Sequence, residues 1–227
     1  MANLIVLQDL DLVPVLELEP MKFATREHPL PSGTGPEMPE AWHRYWLDSL
    51  ADSGIMGLEP LPPGSWHVPT QRLSDPALLH RFLTVIIEEW GGTDIFTDPD
   101  SKPVLNGGLA LFSGGELIAR PTCCSDLGNL CDWRQATASR GANWQMLWIG
   151  HPWLSVRYEL PWLVISDLHE SDMPTSRWAV NPDDLHQAVA DAENELQAFA
   201  LRMQPVLEAM GVVDVERNAR RLAGLKP

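Results

Sequence analysis

Positive charge is scarce in this chain. Sixteen lysines and arginines stand against thirty-one aspartates and glutamates, a formal net charge of −15 at pH 7. A surface of that sign is repelled by a phosphate backbone, which excludes broad nucleic-acid binding. A basic protein is the partner that such a charge favours. Long apolar runs are also missing, and nothing approaches the roughly 20 apolar residues of a membrane-spanning helix. The opening MANLIVLQDLDLVPVLELEP has no basic leading segment and carries Asp9, Asp11, Glu17 and Glu19. No secretory signal and no membrane association are expected from it. Cysteine is limited to three residues, an odd count with two adjacent. That pattern makes a poor disulfide framework and suits a reducing cytoplasm. Catalytic signatures are absent as well: no glycine-rich dinucleotide or phosphate loop, no H-E-x-x-H, no G-x-S-x-G, no C-x-x-C. No cofactor, no metal ligand set and no catalytic residue is therefore expected with any specificity.

What is present is enough apolar material for a sizeable core, with 44% hydrophobic residues and ten tryptophans. Leu16 and Leu18 alternate with Glu17 and Glu19, as in a half-buried strand, although Pro14 argues against a central position in a sheet. Residues 40–52 carry Trp42, Tyr45, Trp46, Ser49 and Leu50 at helical spacing, and 75–90 carry Leu78, Leu79, Phe82, Leu83, Ile86 and Trp90 as a buried stripe. Leu109–Phe112 and Glu116–Ala119 flank Ser113-Gly114-Gly115, a hairpin. Residues 126–139 read as a short helix, and 144–149, 154–159 and 162–166 as strands, the last two joined by a tight turn at Leu160-Pro161. Asn181, Pro182, Asp183 and Asp184 open a long helix over 182–210. Its stripe is Leu185, Val189, Ala192, Leu196, Phe199, Met203, Val206 and Met210, with Pro205 expected to kink it. The fold class implied is α+β in a single domain over 1–227. An N-terminal helical part (1–100) and the long C-terminal helix pack on an antiparallel meander of about five strands drawn from 108–166.

Candidate chemistry concentrates between Arg120 and Glu170, which hold all three cysteines, five of the ten tryptophans and two of the seven histidines. The strand pair 154–159 and 162–166 brings its outer ends together, so His151 and Trp153 should emerge beside Asp167, His169 and Glu170. Arg157 lies further along the first strand. An imidazole there is expected to be flanked by carboxylates. Trp133 is a candidate aromatic anchor, while Trp148 reads as core. Cys123 and Cys124 precede the 126 helix, whose positive end favours a thiolate. Paired with His151 or His169 they could form a nucleophilic site or, with Cys131, bind zinc. Adjacent residues on a strand face opposite ways, so the two cysteines could share a ligand only in a turn. The plainer alternative is that these cysteines pack as small hydrophobes.

The segments PTCCSDLGNLCDWRQ, WIGHPWLSVR, SDLHES and WAVNPDDLHQAVADAENELQAFA resemble an uncharacterised family of bacterial hypothetical proteins. The likeness runs from Pro121 to about Ala200. In general layout that family is similar to the cytosolic immunity proteins of polymorphic toxin systems, including the SUKH-type α+β fold. The resemblance implies a non-enzymatic cytoplasmic protein that neutralises a basic toxin domain, with His151, Trp153, Arg157, Asp167, His169, Glu170, Cys123, Cys124 and Trp133 as the binding candidates. The alternative function is a cysteine- or zinc-dependent enzyme using Cys123 or Cys124 with His151 and His169.

Overall fold

Short apolar runs punctuated by proline and glycine fold into nine strands and six α-helices among the described residues, 4–35, 37–171 and 173–226 of a computed structural model. In chain order the first are β1 (Ile5–Val6), β2 (Leu10–Glu17), α1 (Pro20–Phe23), α2 (Pro39–Asp52), β3 (His67–Pro69), α3 (Pro76–Glu89) and β4 (Gly107–Ser113). Then come β5 (Glu116–Ala119), α4 (Leu130–Ala138), β6 (Gln145–Leu147), β7 (Leu154–Glu159), β8 (Trp162–Ser166), β9 (Ser176–Val180), α5 (Pro182–Ala209) and α6 (Val215–Leu222). None of these helices is long and apolar enough to cross a membrane.

Two helix starts, those of α3 and α5, follow the capping chemistry of their sequences. Asp75 accepts a hydrogen bond from the Ala77 N–H at 2.8 Å and Pro76 opens α3. Asn181 does the same for the Asp183 N–H at 2.8 Å, ahead of Pro182 at the start of α5. Such caps satisfy amide groups that the helix itself leaves unpaired. The α5 stripe from Leu185 through Val189, Ala192, Leu196, Phe199 and Met203 to Val206 is buried, so it is core and not an exposed coiled-coil seam. The helix continues through Pro205 to Ala209.

The chain divides into two compact units, one of Met1–Pro14 and Val104–Leu196, the other of Val15–Pro103 and Gln197–Pro227. In the first unit β1-β9-β8-β7-β6 form a five-stranded sheet. The β7–β8 hairpin closes at Leu160-Pro161 with Glu159 opposite Trp162, and β9 adds antiparallel to β8. Leu163, Val164 and Ile165 of β8 are each 0% exposed. Burying side chains of this size stabilises the fold by about 1.5–3 kcal/mol each. Both faces of β8 are therefore covered.

The fold is α+β, but the clean antiparallel meander is not what forms. The five-stranded sheet is mixed, because β1 pairs parallel to β9 through Ile5 with Trp178 and Val6 with Ala179. The β4–β5 hairpin belongs to a second sheet, ordered β3-β2-β4-β5. Local periodicity marks a hairpin but carries no information about a strand nearly a hundred residues away. Nor is β2 an edge strand. Its β3-paired stretch is Val15–Glu17, so Pro14 falls one residue outside it and its missing N–H removes no bond to β3.

Candidate functional site

The site is built on the link Gly150-His151-Pro152-Trp153 between β6 and β7. Gly150 has φ +109°, and a Cβ there would lie 2.4 Å from the Cys123 carbonyl oxygen and 2.5 Å from that of Thr122. Only glycine lets the two stretches approach so closely. The segment 122–123 is then strapped to the link by hydrogen bonds. The Thr122 N–H donates to the Ile149 carbonyl at 2.7 Å, the Thr122 hydroxyl to the Pro152 carbonyl at 2.8 Å, and the His151 N–H to the Cys123 carbonyl at 2.9 Å. Beyond Trp153 the chain pairs with the far end of the hairpin. Trp153 and His169 exchange backbone hydrogen bonds at 3.1 and 3.0 Å.

His151, Trp153 and His169 therefore meet at one sheet end, as the strand geometry predicts. Trp148 joins them, half-buried and not in the core as its sequence context suggested. Ring centroids are 4.7 Å apart for Trp148 and His151, 5.5 Å for His151 and Trp153, and 5.6 Å for Trp153 and His169. Trp148 and Trp153 stack at 6.3 Å with an interplanar angle of 25°. Edge-to-face and offset arrangements of this kind are the favourable ones for π-systems.

His169 is held by neutral partners. Its Nδ1 lies 2.7 Å from the Ser171 carbonyl oxygen and its Nε2 lies 2.9 Å from Ser155 Oγ. A carbonyl only accepts, so Nδ1 carries the proton and Nε2 of the neutral ring accepts from the serine hydroxyl. Ser155 is buried, and its backbone N–H donates to Ser166 Oγ at 2.8 Å. The expected flanking carboxylate is engaged elsewhere: Arg177 Nη1 donates to both oxygens of Asp167 at 2.8 and 2.9 Å. Glu170 is exposed on the same loop.

Cys123 and Cys124 are exposed, with their sulfurs 3.2 Å apart. Cys124 has φ +67°, and this left-handed turn brings to one side two thiols that an extended chain would hold on opposite faces. The positive helix end expected to act on them is capped by Asp126, whose carboxylate accepts from the Gly128 N–H at 2.7 Å. Cys131 lies on α4, apart from that turn. Burial, and then the neighbouring Asp132 carboxylate, push its thiol above the usual cysteine range. Among the described residues no group of three or more His, Cys, Asp or Glu is placed to hold a metal ion.

Among the described residues two other candidates, Trp133 and Arg157, make none of the ring contacts of the cluster. Trp133 is 0% exposed inside α4, which makes it core and not a surface anchor. Arg157 forms an ion pair with Glu159, donates to Ser176 Oγ at 3.2 Å and covers the Trp144 ring at 4.6 Å. Ser155 and Ser171, which orient His169, carry no sequence signal. The same is true of a His28–Asp52 pair in the other unit, beside cavities of about 490 and 690 Å³. Comparisons with protein-family models, with curated proteins and with solved structures return no match to this chain.

Proposed function

We propose that the protein is a binding protein without catalytic activity of its own, acting in the cytoplasm on a basic protein partner, a toxin domain, in the manner of an immunity protein. The observation that carries this reading is the ring cluster of Trp148, His151, Trp153 and His169, in which His151 is exposed and the other three are half-buried. Tryptophan is enriched among the few residues that dominate binding energy at protein interfaces. The His169 ring is already oriented by its Ser155 and Ser171 contacts, and the strap at Gly150 fixes the backbone that carries His151, so less freedom remains to be lost there on association. Leu168 and Met173, 45% and 85% exposed, add apolar surface on the loop that carries His169. The net charge of −15 favours approach of a basic partner. The test is calorimetric titration against a basic toxin domain encoded beside this chain. Trp153→Ala should weaken binding by about tenfold or more, the loss of at least ~1.4 kcal/mol typical of an anchor, with the fold retained by circular dichroism. Undiminished affinity in that variant would remove the cluster from the interface, and failure of every such domain to bind would overturn the reading.

One observation favours a second reading, a cysteine-dependent enzyme. Cys123 is backbone-paired with His151, and the two adjacent sulfurs are 3.2 Å apart. In that case His151 is the base, since both ring nitrogens of His169 are already engaged. A thiol that alkylates much faster than cysteine in solution near neutral pH, and loses that rate in His151→Ala, would put this reading ahead.

A further inference from the structure

The second unit holds a site that the aromatic cluster does not involve. Asp52 closes α2, and its side chain is only 6% exposed. The carboxylate accepts from the Thr25 N–H at 3.1 Å and lies 2.8 Å from His28 Nε2 and 3.1 Å from Arg26 Nε. His28 is itself nine-tenths buried, at 10% exposure. The His28 hydrogen bond, helped by Thr25 and Arg26 and opposed by burial, holds the Asp52 carboxyl below the usual aspartate range. An ionised carboxylate only accepts, so His28 Nε2 carries its proton whatever the state of the ring. The neutral ring then presents Nδ1 as a bare acceptor. Among the described residues the one hydrogen bond of His28 is that from Nε2 to Asp52.

The ring also lines open space. His28, Leu30 and Tyr45 are shared walls of two cavities of about 490 and 690 Å³, within the range that takes small ligands. Tyr45 stands edge-on to His28, with centroids 6.4 Å apart. Glu40, Arg44 and Asp48 line the smaller cavity from α2 at i, i+4 and i+8, one stripe of the helix. Among the described residues none of the three forms an ion pair within 4.0 Å. Pro29, Leu30 and Ala41 supply apolar wall.

We propose that this groove binds a small zwitterion carrying both an ammonium and a carboxylate, the class of the free α-amino acids. The charges lining the smaller cavity decide the class. One cation, Arg44, takes a single carboxylate through its guanidinium fork. The acceptors, His28 Nδ1 and the Glu40 and Asp48 carboxylates, suit the three donors of an ammonium, and the Tyr45 ring adds a cation–π wall. A polyanion such as a phosphate ester meets two carboxylates for one guanidinium and is disfavoured. A plain amine leaves Arg44 without a partner.

The full chain is screened against the common free L-amino acids at millimolar concentration by thermal shift, then by calorimetry, with acetate and methylammonium as half-ligand probes. At least one amino acid binds saturably at one site, tenfold or more tightly than either half-probe. The His28 ring ¹⁵N signals show an Nε2–H tautomer whose Nδ1 resonance moves on binding. Arg44→Gln and Asp48→Asn each lower affinity by about tenfold, and because both side chains are exposed the melting temperature is unchanged. Absence of binding by any amino acid, equal binding of a half-probe, or full affinity in both variants overturns the proposal.

Discussion

The carboxyl of Asp52 is the clearest case of one side chain whose surroundings set a solution property. Its hydrogen bond from His28 comes first among the causes that hold it below the ordinary aspartate value of 3.8, and burial works against them. In the unfolded chain the same group titrates at the ordinary value. As pH falls, the unfolded state therefore takes up the proton first. The stabilisation from Asp52 is complete above 3.8 and is lost as pH drops through the folded-state value, below which both states are protonated. Asp52→Asn should flatten this acid limb in urea denaturation measured from neutral pH downwards. Parallel loss of stability in the two proteins would show that the carboxylate is not what the acid acts on. No sequence pattern pointed to this pair. His28 sits in a loop and Asp52 at a helix end twenty-four positions away, a separation with no helical or strand period. His151, Trp153 and His169 were legible, because a hairpin's outer ends must converge. The burial of Trp133 was not, since a tryptophan on an amphipathic helix reads alike as core or anchor until its neighbours are known.

Elements with strong local signals fold where their residues place them. The β7–β8 hairpin and the capped start of α5 coincide with the sequence reading, and the α5 stripe is buried from Leu185 to Val206, with Met210 half-buried just past the helix end. What periodicity cannot carry is pairing between distant stretches. β1 is two exposed residues, and β9 has five, with Arg177 exposed in their midst, so neither shows a period worth reading. The strap that carries Cys123 to His151 is equally non-local, and it depends on one backbone position. An alanine at Gly150 would have to hold φ +109° with its Cβ 2.4 Å from the Cys123 carbonyl oxygen. A side chain in that backbone region costs about 1–3 kcal/mol by itself, and the contact is with backbone, which cannot swing aside. Gly150→Ala should therefore lower the unfolding free energy by about 2 kcal/mol or more and change the fluorescence of the Trp148–Trp153 cluster. A variant as stable as the parent would mean that the strap is not needed to hold the link.

At the scale of the whole chain, charge and cluster make separable contributions to the proposed recognition. The excess of fifteen negative charges acts over distance and is screened by salt, with a Debye length of about 10 Å at 0.1 M. It should speed encounter with a basic toxin domain and suppress encounter with acidic surfaces. The ring cluster acts only at contact, so it should set how long the complex lasts. The two contributions are distinguished by kinetics. Raising ionic strength from about 0.05 to 0.5 M should lower the association rate constant by about tenfold or more and leave dissociation nearly unchanged. Trp153→Ala should do the reverse, leaving association within about threefold and raising dissociation about tenfold. Stopped-flow or surface-resonance measurements on both proteins at both salt concentrations give the four rate pairs. An association rate indifferent to salt would remove net charge from the recognition of that partner. A Trp153→Ala effect confined to association would mean that the tryptophan guides approach instead of anchoring the complex, and the preformed cluster would lose its place as the anchor of the interface.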